Sequence, residues 1–302
     1  MKIPPYLKEG DTIALVCTAR KFTLEEAQPA IKLLESWGLK VKLGKTIGLD
    51  NSQLGGSDIE RATNLQTMLD DDSIQGIWCA RGGYGTVRII DKINFSKFIK
   101  NPKWVMGFSD VTVLHSHIHN LGVATLHSIM PFSVPKAEET AKESLRKTLF
   151  GENINYEIPS SSYNKIGKTK GVLVGGNLSI LYSLLGSKSS INTENKILYI
   201  EDLDEYLYHV DRMMMNLKRN GYFDKIRGII VGGMTDMHDN QIPFGRNASE
   251  IILDITQEFD IPVCFDFPAG HLSDNRALIL GNEVEFEVSE SSTQVRFMNS
   301  KP

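Results

Sequence analysis

The sequence predicts a two-domain α/β protein: an N-terminal doubly wound domain on a mainly parallel sheet, a C-terminal α/β domain, and an active site at the domain interface. Three observations predict it. Short apolar runs alternate with amphipathic helical segments through the first half, the pattern of parallel strands joined by crossover helices. After Pro135 the composition turns polar, and at Gly171 a strand-loop-helix pattern restarts. The length of 302 residues accommodates two domains of roughly 150 residues each.

Thr12 to Cys17 reads as a buried strand. A helix from Leu24 to Trp37 follows, opened by a Thr23/Glu26 capping box and stopped by Gly38. Lys40 to Leu43 forms a second strand, and a Gly- and Asn-rich loop leads to a helix over Ile59 to Leu69, capped by Ser57 and Glu60. Ile74 to Ala80 is a third strand ending in Arg81-Gly82-Gly83-Tyr84-Gly85, with a helix expected near Val87 to Ile93. The next apolar run stops at Ser109, where a helix-like run, Val111 to His119, begins. These elements make residues 1–135 the first domain. Residues 136–170, with the run Ser160-Ser161-Ser162, read as a surface helix and a linker. Residues 171–302 form the second domain, with strands at Lys196 to Ile200, Ile226 to Gly232, Pro262 to Phe267 and Glu283 to Val288.

Composition narrows the function classes. With 41% hydrophobic and 23% charged residues the chain is an ordinary soluble globular protein, and a net charge of -4 lacks the basic footprint of nucleic-acid binders. Met1 to Gly10 carry no apolar signal core, and no stretch reaches the ~18 apolar residues of a membrane span, so a cytoplasmic protein with no membrane partner is expected. Cys17, Cys79 and Cys264 sit in or beside apolar runs and read as reduced core thiols.

Ser109 stands where a strand turns into a helix, the arrangement by which α/β hydrolases expose a nucleophile. Gly107-Phe108-Ser109-Asp110-Val111 has the leading glycine of G-x-S-x-G and lacks the trailing one. A Ser-Asp pair opening a helix is most often an N-cap, and that is the commoner account of the local sequence taken alone. Two further polar residues follow apolar runs: Glu201 after Ile197 to Ile200, and His271 after Val263 to Gly270. Ligands of open α/β sheets bind beyond the carboxyl ends of the strands, so a Ser, a Glu and a His at such ends are able to converge. A serine hydroxyl needs an imidazole to take its proton, and the imidazole needs a carboxylate to fix its tautomer. The tetrahedral oxyanion needs backbone donors, for which the N–H of Asp110 and of Gly82 or Gly83 are candidates. The Arg81 to Gly85 loop fits neither G-x-G-x-x-G nor a phosphate-cradling Walker loop; a plain turn is the other reading. His115 and His119 have the i, i+4 spacing of a zinc pair, but position 116 is Ser where a zincin carries Glu, so no metal is expected. Asp202 to Glu205 read as acids favouring a helix start, and Asp236 to Asn240 as a solvated loop.

Gly107-Phe108-Ser109-Asp110, Gly175-Gly176-Asn177-Leu178, Ile200-Glu201-Asp202 and Pro268-Ala269-Gly270-His271 occur in the order and rough spacing of the LD-carboxypeptidase family of serine peptidases, which also contains the microcin C immunity hydrolases. The chain resembles that family over essentially its whole length. The resemblance implies a nucleophile at Ser109, a base at His271, an orienting carboxylate at Glu201, and the Arg81 to Gly85 loop beside the nucleophile. It also implies a cytoplasmic murein tetrapeptide as substrate, release of its terminal D-alanine, no cofactor, and a homodimer. Arg81, paired with a substrate carboxylate, His127 and Asn177 are the expected substrate-binding residues. His127-Ser128-Ile129-Met130 departs from the His-Gly-Pro-Met run of many members, which puts the pocket wall in doubt. Three rival readings remain. A microcin-immunity-like hydrolase of acyl-sulfamoyl nucleotides needs a cleft-side aromatic; the linker offers only Tyr156 and Tyr163, and no Trp follows Trp104. A non-catalytic small-ligand-binding protein has no need of Ser109, Glu201 and His271 together. An amidotransferase-like enzyme would use Cys79, which lies inside an apolar run.

Overall fold

The computed structural model describes residues 1–298; residues 299–302, the end of the expected second domain, lie outside the described residues. The first half runs β1 (Thr12–Val16), α1 (Leu24–Ser36), β2 (Lys40–Leu43), α2 (Asp58–Asp70), β3 (Gly76–Cys79), α3 (Ser96–Lys100), β4 (Trp104–Gly107), α4 (Thr112–Asn120) and β5 (Thr125–His127). Their sheet has the order β2-β1-β3-β4-β5, all parallel. Helices cover both faces, with α1 on one side and α2, α3 and α4 on the other, so β3 and β4 are buried along their whole length. The edge strand β2 is solvent-facing, and its Lys40 and Lys42 blunt that edge. Both expected capping boxes form, Thr23 with Glu26 and Ser57 with Glu60.

Next come α5 (Glu139–Leu149), β6 (Asn155–Pro159), β7 (Gly167–Asn177), α6 (Leu178–Ser183), β8 (Lys196–Leu203), α7 (Leu207–Arg219), β9 (Gly228–Thr235), α8 (Ala248–Thr256), β10 (Val263–Cys264), β11 (Leu278–Leu280), β12 (Glu283–Val288) and β13 (Ser292–Phe297). The second sheet has the order β10-β9-β8-β7-β12-β13-β6. Strands β7 to β10 are parallel, and β12, β13 and β6 extend the sheet antiparallel.

Three expectations change. The span 136–170 is more than a helix and a linker: after α5 it supplies β6, where Tyr156 and Ile158 point inward between exposed neighbours. Its polar alternation is that of an edge strand with one wet face. Strand β11 crosses back and pairs antiparallel with β5 of the first sheet, so one apolar core, from Leu15 and Trp78 to Tyr199 and Phe286, runs through both halves. The helix expected over 87–93 is instead two 3-10 turns, Thr86–Arg88 and Ile90–Lys92. Val87, Ile89 and Ile90 are β-branched and resist a regular helix, and Thr86 is pinned in a buried hydrogen-bond network.

The junction between the halves is tight. A Cβ at Gly176 would lie 2.4 Å from Thr112 Oγ1, and the Asn177 N–H donates to that same hydroxyl at 3.0 Å. The start of α4 is thereby fixed against the end of β7.

Candidate active site

A cleft of about 770 Å³ opens where the carboxyl ends of both sets of parallel strands face each other. In the first sheet the strand order reverses between β1 and β3, the switch point at which doubly wound folds bind ligands. Arg20 follows β1, Gly82 follows β3 and Ser109 follows β4; Asn177 and Asp202 come from the ends of β7 and β8, and His271 from the loop after β10.

The turn at Ser109 is strained in the manner of a nucleophile elbow. Ser109 has φ +61°, the left-handed region that costs a non-glycine residue about 1–2 kcal/mol. Gly107 precedes it at φ +147°, and a Cβ there would come within 2.9 Å of Val111 Cγ2, so glycine is required. The Gly107 carbonyl is held by the Ser128 N–H at 3.2 Å and by His115 Nε2 at 2.9 Å. Ser109 is not a helix cap, because α4 starts at Thr112 with no side-chain cap. Among the described residues its hydroxyl has no hydrogen-bond partner, and it faces the cleft.

Glu201 and His271 form a pair, with His271 Nδ1 at 2.7 Å from Glu201 Oε2. Strand β8 runs three residues further than expected, to Leu203, so Glu201 lies within it and is 0% exposed. The edge of the Phe108 ring packs on the imidazole at 4.8 Å between centroids. Gly270 fits only as glycine, since a Cβ would fall 2.7 Å from Glu201 Oε2, and its N–H donates to Asn275 Oδ1 at 2.8 Å. Burial disfavours the imidazolium, but the Glu201 carboxylate, through charge and hydrogen bond, outweighs it and raises the His271 pKa above 6.5. Nδ1–H faces Glu201, and Nε2 is left for the cleft.

The loop after β3 lies against Ser109. A Cβ at Gly82 would be 3.0 Å from both Ser109 Cβ and Oγ, so the bare backbone lets this loop approach the hydroxyl. Gly82→Ala is therefore expected to lower kcat by about 10²-fold, because its methyl displaces Ser109 and the adjacent N–H groups from their places. Steady-state kinetics beside a melting curve check this; unchanged kcat would remove Gly82 from the site.

Two side chains tie this region down in ways the sequence did not single out, those of Asp110 and Arg61, and Asp202 takes a place other than the expected one. Asp110 is buried, and its Oδ2 accepts the Thr86 N–H at 2.9 Å. Burial pushes its carboxyl above the usual range, opposed by hydrogen bonds from Thr86 and the charge of Arg61. Arg61, 0% exposed, donates to the Gly85 carbonyl at 2.9 Å and to the Thr18 carbonyl, and pairs with Asp58. Its position on the buried face of α2 with Leu65 and Met68 is the signal that marks it. Asp202, expected as a helix-start acid, instead lies in β8, reaches the cleft, and accepts from Asn177 Nδ2 and the Ser179 N–H, each at 2.8 Å. Burial, then the charge of Glu201, raises its pKa to about 7.

The expected substrate-binding residues divide. Arg81 lines the cleft, 3.8 Å from Glu26 and with its guanidinium 4.0 Å from the Phe132 ring centroid. Asn177 reaches the cleft, but its side chain caps α6 at Ile180 N and holds Asp202. His127 is 0% exposed and does not reach the cleft: it lies behind Phe108, with Nε2 3.0 Å from Asn275 Oδ1. It is corrected to a supporting residue, because β5 ends at His127 and turns its side chain into the core between the two sheets. Both ring nitrogens of His115 are taken, by Gly107 O and Thr125 Oγ1, which leaves none for a metal. Burial pushes the Cys79 thiol up to about 12, the opposite of what a nucleophilic cysteine needs.

Residues 13–128 match the LD-carboxypeptidase N-terminal domain, and residues 170–286 match the LD-carboxypeptidase C-terminal domain. The chain belongs to the LD-carboxypeptidase family. As a member of this family it is a peptidase-type hydrolase. It is 34% identical to the "Probable murein peptide carboxypeptidase" of Bacillus subtilis, over 97% of this chain and 93% of that protein. It is 25% identical to the murein tetrapeptide carboxypeptidase of Pseudomonas aeruginosa, over 91% and 92% of the two chains. The microcin C7 self-immunity protein MccF of Escherichia coli is 24% identical over 96% and 94%. Two solved structures share the two-domain α/β fold. Muramoyltetrapeptide carboxypeptidase from Oxalobacter formigenes has TM-score 0.87 and 22% identity, covering 96% of this chain and 100% of that one. Wild-type MccF in its apo state has TM-score 0.88 and 23% identity, covering 100% of both. Among the described residues no helix is long and apolar enough to cross a membrane.

Proposed function

We propose that this chain is a serine LD-carboxypeptidase that releases terminal D-alanine from cytoplasmic murein tetrapeptides, cleaving the amide that joins an L-configured centre to the D-residue and returning the tripeptide for peptidoglycan recycling. The observation that carries the reading is the 2.7 Å pair of His271 Nδ1 and Glu201 Oε2 in the same cleft as Ser109 at φ +61°. Ser109 Oγ attacks the scissile carbonyl while His271 Nε2 takes its proton. Glu201 holds the tautomer and stabilises the imidazolium. The N–H groups of Asp110 and of Gly82 or Gly83 receive the oxyanion, and His271 then protonates the departing D-alanine. Water, activated by the same imidazole, releases the tripeptide from Ser109. A Ser109 Oγ–His271 Nε2 hydrogen bond forms on substrate binding, as catalytic bonds that are long or unmade in a free enzyme commonly do. A homodimer, a division into an N-terminal unit 1–135 and a C-terminal unit 171–302 whose sheet the span 136–170 extends through β6, and a mechanism without cofactor belong to the same proposal.

A second reading, hydrolysis of acyl-sulfamoyl nucleotides, is favoured by one feature. Phe132, 43% exposed, stands at the cleft with Arg81 over its ring, a platform of the kind a base stacks on. Tyr156 and Tyr163, the linker aromatics, do not provide it: Tyr156 is buried and Tyr163 binds Asn247. Competition between a murein tetrapeptide and an aminoacyl-sulfamoyl adenosine decides between them. The first reading predicts the higher kcat/KM for the tetrapeptide, and a preference for the nucleotide conjugate overturns it.

A further inference from the structure

The geometry points to Arg20 as the receptor for the substrate's terminal carboxylate, the contact that makes the enzyme an exopeptidase. This assignment rests on the carboxypeptidase reading above and reassigns the role that the sequence gives to Arg81.

A carboxypeptidase must recognise a group that lies close to the scissile bond: carbonyl carbon, amide nitrogen, Cα and carboxylate follow one another directly. Its receptor therefore belongs beside the loop that meets Ser109. Three cations line the cleft, Arg20, Arg81 and Lys136, all from the first half of the chain. The acids of the cleft, Asp202 and Asp204, come from the second half. The cleft is thus split by charge, and a carboxylate is driven to the wall formed by the first half.

Among these cations Arg20 differs in two respects. Arg81 already shares its charge with Glu26 at 3.8 Å and lies over Phe132, whereas Arg20 has no acidic partner and no side-chain hydrogen bond among the described residues. Arg20 also rests on the loop itself. A Cβ at Gly83 would fall 2.5 Å from Arg20 Nε and 2.6 Å from its Cδ, so the glycine at 83 leaves the space that the arginine fills. The Arg20 N–H donates to the Gly82 carbonyl at 3.4 Å, and Gly82 is the residue whose Cβ would lie 3.0 Å from Ser109 Oγ. An antiparallel bridge to Leu54 fixes the Arg20 backbone. The guanidinium is therefore unpaired, held at the loop that meets the nucleophile, and shaped to take a carboxylate through two N–H groups. Lys136 also has no acidic partner, but no contact ties it to Gly82 or Gly83.

The test compares kcat/KM for the tetrapeptide with that for its C-terminal amide. Wild type is expected to prefer the free carboxylate. Arg20→Met is expected to cut that preference by on the order of 10- to 100-fold, the value of a charge-assisted hydrogen bond, with a larger loss on the acid than on the amide. A residue that only supports the loop lowers both substrates alike and leaves the ratio intact, so an unchanged ratio overturns the assignment. Arg81→Met and Lys136→Met are expected to keep the ratio; its loss in either of them with retention in Arg20→Met also overturns it. If wild type releases no D-alanine, the functional reading fails, and the carboxylate site is judged without turnover. Phenylglyoxal labelling mapped to Arg20 is then expected to be suppressed by N-acetyl-D-alanine and not by its amide; equal labelling under both conditions rejects Arg20.

Discussion

Glu201→Gln is expected to lower kcat by about 10⁴-fold with little change in fold, the cost of losing the carboxylate that fixes a catalytic imidazole's tautomer. The cost has two parts. Glutamine is nearly isosteric, but it offers no charge to stabilise the imidazolium, and its amide presents a donor where His271 Nδ1–H needs an acceptor. The pH profile separates this from general damage. His271 acts as a base only when neutral, so kcat/KM rises as pH climbs through its pKa. Burial pulls that pKa down, and Glu201 pulls it above 6.5 in the native enzyme. Without the carboxylate, burial prevails, and the acid limb of the residual activity is expected to move to lower pH. The Asp202 carboxyl, pushed up to about 7 by burial and the charge of Glu201, also favours the imidazolium when ionised. An acid limb that stays in place in Glu201→Gln would separate Glu201 from the catalytic base.

Much of this site is legible in the sequence because the parallel sheet converts position along the chain into position in space. Any polar residue that closes an apolar strand points toward the same crevice, so Ser109 and His271 are readable at strand ends before their partners are known. Glu201 is readable for the same reason although β8 continues past it: the strand is followed into the cleft, and its pairing with Asn177 sets the depth at which the carboxylate lies. What stays hidden depends on packing between distant segments. Asp202 looks like one more acid in an acidic run, and only burial against Ser179 and Asn177 distinguishes it from Asp204 and Glu205. Arg61 shares the buried face of α2 with Leu65 and Met68, but the carbonyls it binds stay hidden until the loops after β1 and β3 close over it. His127 misleads in the opposite sense, because proximity to a motif carries no information on which side of a short strand it faces. Strand β6 escapes notice for want of a local signal: its partner β13 is more than a hundred residues away, and an edge strand with one wet face resembles a polar linker.

Ser109→Ala is expected to have the largest effect, a loss of kcat of about 10⁴- to 10⁶-fold. The hydroxyl is the atom that forms the bond to the carbonyl, and Cys79 is no substitute for it, being buried with its thiol pushed up to about 12. What activity remains comes from the oxyanion donors and substrate positioning, which retain about 10³- to 10⁴-fold over water in other triad enzymes stripped of their nucleophile. Folding is not at risk, since alanine removes one unpartnered hydroxyl and keeps the Cβ; relief of a serine side chain at φ +61° is not involved. The direct measurement is mass spectrometry of a murein tetrapeptide incubated in parallel with wild type and Ser109→Ala. Stoichiometric tripeptide and free D-alanine from wild type, with neither from the variant on the same time scale, is the predicted result; equal release of D-alanine by both proteins would contradict the account.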